Sequence, residues 1–304
     1  MKHFTIKMNP KYLLGFLAIL LVSCESPKDV PYEIYQIKKD GTVINCRNGL
    51  FNDGKTTEIR IKASNVKIEN CILKGSIRTI GMGMNGEDEK VKESSHSQGH
   101  TERLQKAAPS YVTISNMTIE GVTRIPMYFG PGTTHTTVEN SKFVGTTDST
   151  VVYLDAESGY NIIRNNTFDV KGNFTLRQFR IREVIAVDGS AHNYITDNKF
   201  ETATGGGIYL YRNCGEGGTV RHQAPQENII EDNVFNLSGL HINNYGIWLG
   251  ARNGNRLYCS ADNGYLFGSS DDDRDFADNN IISRNKFIFS DNTIKDDGKN
   301  NIIL

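Results

Sequence analysis

The feature that most constrains this chain is a short phrase that recurs along most of its length. It runs apolar, variable, apolar, then two polar residues ending in Asn, then variable and apolar. Early copies occupy residues 66–72, 112–118 and 137–143, and fuller copies occupy 161–168, 193–200, 228–235 and 280–287. Aligned on the phrase, the asparagines are Asn70, Asn116, Asn140, Asn166, Asn198, Asn233 and Asn285, with a weaker copy ending at Asn45. From Asn45 onward they stand 25, 46, 24, 26, 32, 35 and 52 residues apart. The shortest spacings cluster near 25, and the longer ones read as one coil plus an insertion. A period of this length with short strands predicts a solenoid. The leucine pattern of a leucine-rich repeat is missing. In a coil of three short strands, Ile, Val and Phe stack on their counterparts in the next coil, ~4.8 Å away. Buried Asn amides would then ladder along the axis and satisfy one another.

A second strand follows each Asn turn. Its copies are residues 126–130, 151–155, 184–188, 207–211 and 246–250. Alternation places Met127 and Phe129, Val152 and Leu154, Ile185 and Val187, Ile208 and Leu210, and Ile247 and Leu249 in the core. One outward column then reads Tyr128, Tyr153, Ala186, Tyr209, Trp248, and the next reads Gly130, Asp155, Asp188, Tyr211, Gly250. Large rings on the solvent face of a solenoid are costly unless covered. Either loops fold over them as a satellite core, or they line a groove where their faces stack on sugar rings. The groove is the favoured expectation. Insertions at residues 171–183, 212–227 and 251–279 converge on this strand, and such loops commonly carry function.

These repeated Asn-Asn-x-Phe turns resemble the right-handed parallel β-helix proteins, the superfamily of pectate lyases and related polysaccharide lyases, hydrolases and epimerases. The resemblance covers roughly residues 40–290. It implies an all-β, right-handed parallel β-helix solenoid with loop insertions on one face. It also implies a polysaccharide partner, and no single lyase family's catalytic signature is present.

Within the groove, Asp155 and Asp188 fall on adjacent coils, with backbones expected ~5 Å apart. Carboxylates so close repel, so one is raised in pKa or a cation is shared, Ca2+ being the candidate cofactor. Paired carboxylates are also the minimum for glycoside hydrolysis. As a bland alternative, they are strand-end aspartates accepting turn hydrogen bonds. Arg177, Arg180, Arg182, Arg212, Arg221, His222 and Arg252 make the groove loops more basic than the whole chain. Arginine forks match carboxylate and sulfate groups, so an acidic polysaccharide is the natural ligand. β-Elimination of a uronate needs carboxylate neutralisation, a base at the sugar C5 proton and an acid for the leaving oxygen. Arg212 and Arg252 are candidates for the first role, His222 and Tyr211 for the others. Tyr128, Tyr153, Arg180, Arg182, Tyr209, Arg221 and Trp248 are expected to bind substrate. The leading expectation is a lyase on an acidic glycan. The alternatives are a glycoside hydrolase using Asp155 and Asp188, and a non-catalytic glycan-binding or structural protein.

The N-terminus reads as an address. Lys2, Lys7 and Lys11 precede an apolar run over residues 12–22 that is short for a membrane span. It ends in Leu21-Val-Ser-Cys24, which resembles a bacterial lipobox. That resemblance implies a signal peptide at 1–23, lipidation of Cys24 and a polar tether at 24–36 before a β-helix domain at 37–304. The expected location is the cell envelope, lipid-anchored in the outer membrane on its periplasmic or surface face, since no retention aspartate follows Cys24. Four further cysteines allow three pairings. Cys214 with Cys259, in consecutive loops, is the favoured disulfide, while Cys46 and Cys71 stack one coil apart, bonded or merely adjacent.

Two polar stretches remain. Residues 83–109 read as a mobile loop, and its His96 and His100 lack a third metal ligand nearby. The acidic run Asp271-Asp-Asp-Arg-Asp275 reads as solvated loop. With 34 basic and 35 acidic side chains, the net charge of -1 gives no global argument for a nucleic-acid partner. Phosphate-cradling glycine loops, zinc cysteine spacings and serine nucleophile elbows are missing from the sequence.

Overall fold

A computed structural model describes residues 32–84, 86–122, 124–173, 182–202, 205–213, 219–237, 244–254, 274–288 and 292–304. The signal peptide, Cys24, Arg177, Arg180, Cys214 and Cys259 lie outside the described residues. The disulfide favoured from the sequence is among them.

The chain is a right-handed parallel β-helix. Each coil supplies a strand to each of three parallel stacks. In the coil that starts at Val152, these strands are Val152–Leu154, Ile162–Arg164 and Thr167–Gly172. Val152 pairs with Met127 on one side and Ile185 on the other, Ile163 with Val138 and Ile195, and Phe168 with Phe143 and Phe200. Like therefore stacks on like. Phe143, Phe168, Phe200, Phe235 and Phe287 form one ladder with ring centroids 4.4–5.1 Å apart. Gly207, in the strand Gly206–Tyr211, and Gly246, just before the strand Ile247–Leu249, both have that ladder behind them. A Cβ on Gly207 would come within 2.7 Å of the Phe235 ring, and one on Gly246 within 2.5 Å of the Phe287 ring.

The tight corner after the second strand corrects the asparagine alignment by one residue. The left-handed corner position is Asn70, Asn116, Asn140, Asn165, Asp197, Asp232 and Arg284, all with φ between 52 and 56°. Asn and Asp tolerate that conformation best. The buried ladder is the next residue, which reads Asn166, Asn198, Asn233, Asn285. Each side-chain oxygen accepts the backbone N–H one coil below at 3.0–3.1 Å. Below Asn166 the same position holds Ser141, Met117 and Cys71. Asn70, Asn116 and Asn140 are corner residues, not ladder members. A second buried ladder runs through Asn161, Asn193, Asn228, Asn280 and Asn301 at the other turn. At the first coils, Cys71 and Cys46 are bonded, Cα atoms 4.9 Å apart.

Three further differences matter. Glu33–Ile37, of which all but Ile37 was assigned to the tether from the sequence, is a strand paired in parallel with Thr57–Ile61. The stretch read as a mobile loop folds as two short helices, α1 (Asp88–Ser95) and α2 (His100–Ala107). The buried side chains of the two helices are Val91, Ser95, His100 and Leu104. Asp275, read as solvated, is buried. Among the described residues, no helix is long and apolar enough to cross a membrane.

Candidate functional site

The site sheet carries the predicted outward column in the predicted register. Tyr128 pairs with Tyr153, Tyr153 with Ala186, Ala186 with Tyr209 and Tyr209 with Trp248. The column also extends downward, with Arg78 beside Tyr128 and Arg60 beside Arg78. Those two arginines went unremarked in the sequence because the column was started at Tyr128. Aligning Ile59-Arg-Ile61 and Ile77-Arg-Thr79 with Met127-Tyr-Phe129 would have found them.

The upper part of the column is not an open platform. Ala186, Tyr209 and Tyr211 are buried in a small apolar cluster with Tyr153, Tyr245, Trp248 and Ala251. The Tyr209 hydroxyl accepts the Tyr245 N–H at 2.9 Å and donates to the Gly205 carbonyl at 3.2 Å. Tyr211 lies under the Arg252 guanidinium, 4.1 Å from its ring centroid. Its hydroxyl meets Arg182 at 2.8 Å and Glu183 at 3.2 Å. Burial pushes its phenol well up, so it stays protonated and out of reach as a base. Trp248 is half-buried, donates to Asp297 at 2.8 Å and carries the Lys295 ammonium 4.3 Å from its ring.

The predicted arginines are largely committed to internal partners. Arg182 forks onto Glu183 at 2.6 and 3.0 Å. Arg212 donates to the Arg274 carbonyl at 3.1 Å and lies 4.8 Å from the Phe276 ring. Arg252 donates to the Asn213 side chain. Asp275 organises this loop by accepting the N–H of Arg212 at 3.0 Å and of Arg252 at 2.7 Å. Burial raises its carboxyl to about 7. His222 donates its backbone N–H to Glu157 at 2.7 Å, and its Nε2 meets the Ser95 carbonyl at 2.7 Å. It therefore anchors the helical insertion.

Asp155 and Asp188 do share a cation, and it is Arg221. The guanidinium lies 2.9 Å from Asp155 and 3.5 Å from Asp188. Asp188 is fully buried. It also accepts the Asn213 N–H at 2.8 Å, the Asn213 amide at 2.7 Å and the Tyr153 hydroxyl. Its oxygens are filled by protein donors, so the pair does not fit a calcium ion, and Asp188 does not fit a glycosidase carboxylate. Among the described residues, no group of three or more His, Cys, Asp or Glu is placed to hold a metal. His100 bonds the Ser94 hydroxyl at 3.0 Å.

Asp155 is different, because it lines a cavity of ≈ 310 Å³. The floor is Tyr128, Asp155 and Arg221, and the opposite lining comes from Asp88, Val91, His100 and Leu104 of α1 and α2. The Tyr128 hydroxyl donates to Asp155, whose other oxygen accepts the Ala156 N–H at 2.8 Å. Burial and the Asp155 charge push the Tyr128 phenol well up, so it holds its proton. Arg78 lies 5.1 Å from the centre of its ring, and Tyr153 stacks on it at 5.5 Å. The insertion is latched by Glu157, which accepts the Thr101 hydroxyl and the N–H groups of His222 and Gln223. His100 packs 4.9 Å from His222. Burial, then the charges of His222, Arg103 and Arg221, pull His100 down to about 3. The helical insertion was legible only as polar sequence, so this wall of the site was missed.

Fold and site together define a parallel β-helix with a cavity, walled in part by two short helices, beside one sheet. No family model matches the chain, and no curated protein matches it in sequence. Among solved structures it is similar to an alginate lyase from Paenibacillus sp. str. FPU-7, at 9% identity and TM-score 0.45, over 88% of this chain and 90% of that one. It is also similar to the tailspike of E. coli bacteriophage HK620, solved with a pentasaccharide, at 10% identity and TM-score 0.37. That match covers 93% of this chain and 54% of the tailspike chain. A third is the A-module of a mannuronan C-5 epimerase from Azotobacter vinelandii, at 12% identity and TM-score 0.28, over 89% of each chain.

Proposed function

We propose that this chain is a polysaccharide-active enzyme, a lyase that opens a uronate-containing glycan by β-elimination in the cavity beside Tyr128. The observation that carries the reading is the Tyr128 hydroxyl donating to Asp155 in the cavity floor, with the Arg78 cation over the same ring. Arg78 would meet the uronate carboxylate and draw off charge as the C5 carbon becomes electron-rich. Asp155 would take the C5 proton, the electron pair would form the C4–C5 double bond, and the C4–O bond would break. Tyr128 would give its proton to the leaving oxygen. Protonated Asp155 would then return a proton to the Tyr128 oxygen across their hydrogen bond, which restores both groups. Arg221 would hold Asp155 in place without entering the chemistry.

Export fits the same reading. The signal peptide, the lipid on Cys24 and an outer-membrane address would bring the enzyme to an extracellular polymer. A second reading, hydrolysis, has one observation in its favour: Asp88 lines the same cavity as Asp155, which supplies two carboxylates.

The test is a screen of the soluble chain, starting after Cys24, on acidic and neutral polysaccharides. Ultraviolet absorbance of an unsaturated uronate and release of reducing ends would be followed together. Both rising on an acidic glycan is the expected result. Reducing ends without absorbance would replace the lyase by the hydrolase, and binding without either signal would leave a glycan-binding protein.

A further inference from the structure

Below Tyr128 the outward column carries charge beyond Arg78, its one member that the chemistry above uses. Glu58 is buried on the site sheet, its side chain only 3% exposed. It accepts Nε of Arg60 at 2.6 Å and Nε of Arg78 at 2.9 Å, and Nη1 of Arg124 lies 3.4 Å away. One buried carboxylate needs one cation; here it has three, so the cluster keeps a surplus of two positive charges. The three arginine side chains are 32, 19 and 37% exposed. Arg60 and Arg78 meet Glu58 through their Nε atoms, and both side chains remain part-exposed. The Nη fork is the part of the side chain that matches a carboxylate or sulfate. Arg124 is steadied by the Tyr32 ring, 4.0 Å from its guanidinium carbon.

Register adds the direction. Arg60, Arg78 and Tyr128 stand on three successive strands of one column. Successive strands are ~4.8 Å apart, close to the length of one hexose residue in an extended polymer. We infer that Arg60, Arg78 and Arg124 form an anion-binding subsite that reads acidic groups on consecutive sugars, with the polymer running along the column into the cavity. The inference rests on the glycan reading and narrows its substrate class to glycans with runs of adjacent uronates. An alternating acidic and neutral chain would place every second sugar opposite an unmatched guanidinium.

The experiment is calorimetric titration of the wild type, Arg60→Gln and Arg124→Gln with tetramers of galacturonate, mannuronate, guluronate and glucuronate. A hyaluronan tetrasaccharide serves as the alternating probe, and Arg284→Gln on the far surface as a charge control. At least one uronate tetramer should bind at least about tenfold tighter than the alternating probe. Each of the two groove variants should lose about tenfold in affinity for it, and Arg284→Gln should lose nothing. No binding of any uronate tetramer, or equal binding to all three variants, would overturn the subsite. Cleavage of an acidic glycan with KM unmoved in Arg60→Gln and Arg124→Gln would overturn the subsite alone and leave the lyase standing. Arginine-dependent binding by a protein that cleaves nothing would support the subsite and remove the lyase.

Discussion

The two ends of one outward column make opposite use of the same register. At the upper end, Tyr209 is 3% exposed, both roles of its hydroxyl are satisfied locally, and Tyr211 and Ala186 are buried beside it. At the lower end, Tyr128 remains half-buried, faces the cavity and spends its hydroxyl on a carboxylate. The strands below are alike, and the difference lies in what folds over them. The upper end is covered by its neighbouring rings and the loop around Asp275. The lower end is covered at a distance by α1 and α2, which leave a cavity. An outward aromatic is therefore only a candidate binding platform until its cover is known.

The largest expected effect separates the two ends directly. Tyr128→Phe and Asp155→Asn should each lower kcat by about two to four orders of magnitude, the range for loss of a proton-transfer group. Tyr128→Phe should unfold near the wild-type temperature. Tyr209→Phe should leave kcat within about twofold and cost about 1–2 kcal/mol of stability, because the Tyr245 N–H loses its acceptor. Initial rates and thermal unfolding on the same preparations check both. Equal losses of activity at Tyr128 and Tyr209 would erase the distinction.

Asp188 sharpens the comparison, because it is fully buried and does not line the cavity. Asp188→Asn would present an amide N–H₂ to the Asn213 amide, the Tyr153 hydroxyl or Arg221, all of which now donate to the carboxylate. Removing the charge also leaves Arg221 with Asp155 alone. The expected cost is about 3 kcal/mol of stability, read from denaturant midpoints. A variant that folds with wild-type stability yet loses all turnover would return Asp188 to the catalytic pair.

How far the sequence reached follows from the same contrast. The solenoid was legible because each coil repeats its apolar positions, and Phe143, Phe168 and Phe200 stack as that periodicity requires. The asparagines slipped by one because two adjacent positions both favour Asn, for different reasons. One needs a left-handed backbone and the other an amide that both donates and accepts. Phe at a fixed offset would have settled it. The Arg221 network was not legible, since that residue lies 66 positions from Asp155 in a loop without repeat. A basic loop residue looks the same whether it awaits a ligand or fills an internal ion pair. The helical wall was hidden by its brevity: two eight-residue helices bury only four side chains, too few to mark a period.

The smallest expected effect is a pH response of opposite sign at the two ends. At the lower end, the folded state holds His100 at about 3, below its ordinary value of 6.5. The stability it contributes is present above pH 6.5 and is lost as the pH falls toward 3. At the upper end, the folded state holds Asp275 at about 7, above its ordinary value of 3.8. Its contribution is present below pH 3.8 and is lost as the pH rises toward 7. Between about pH 4 and 6.5, acidification should therefore loosen the α1–α2 cap, whose protonated His100 would face His222, Arg103 and Arg221. It should tighten the loop at Arg212 and Arg252, whose N–H groups bond Asp275. Amide hydrogen exchange, corrected for the intrinsic pH dependence of the rate, reads both ends in one experiment. Protection in α2 should fall while protection at Arg212 and Arg252 rises. His100→Gln should flatten the first trend alone and Asp275→Asn the second alone. Trends of the same sign at both ends would mean that a single global transition governs them, and that the cap over the cavity does not open independently of the loop around Asp275.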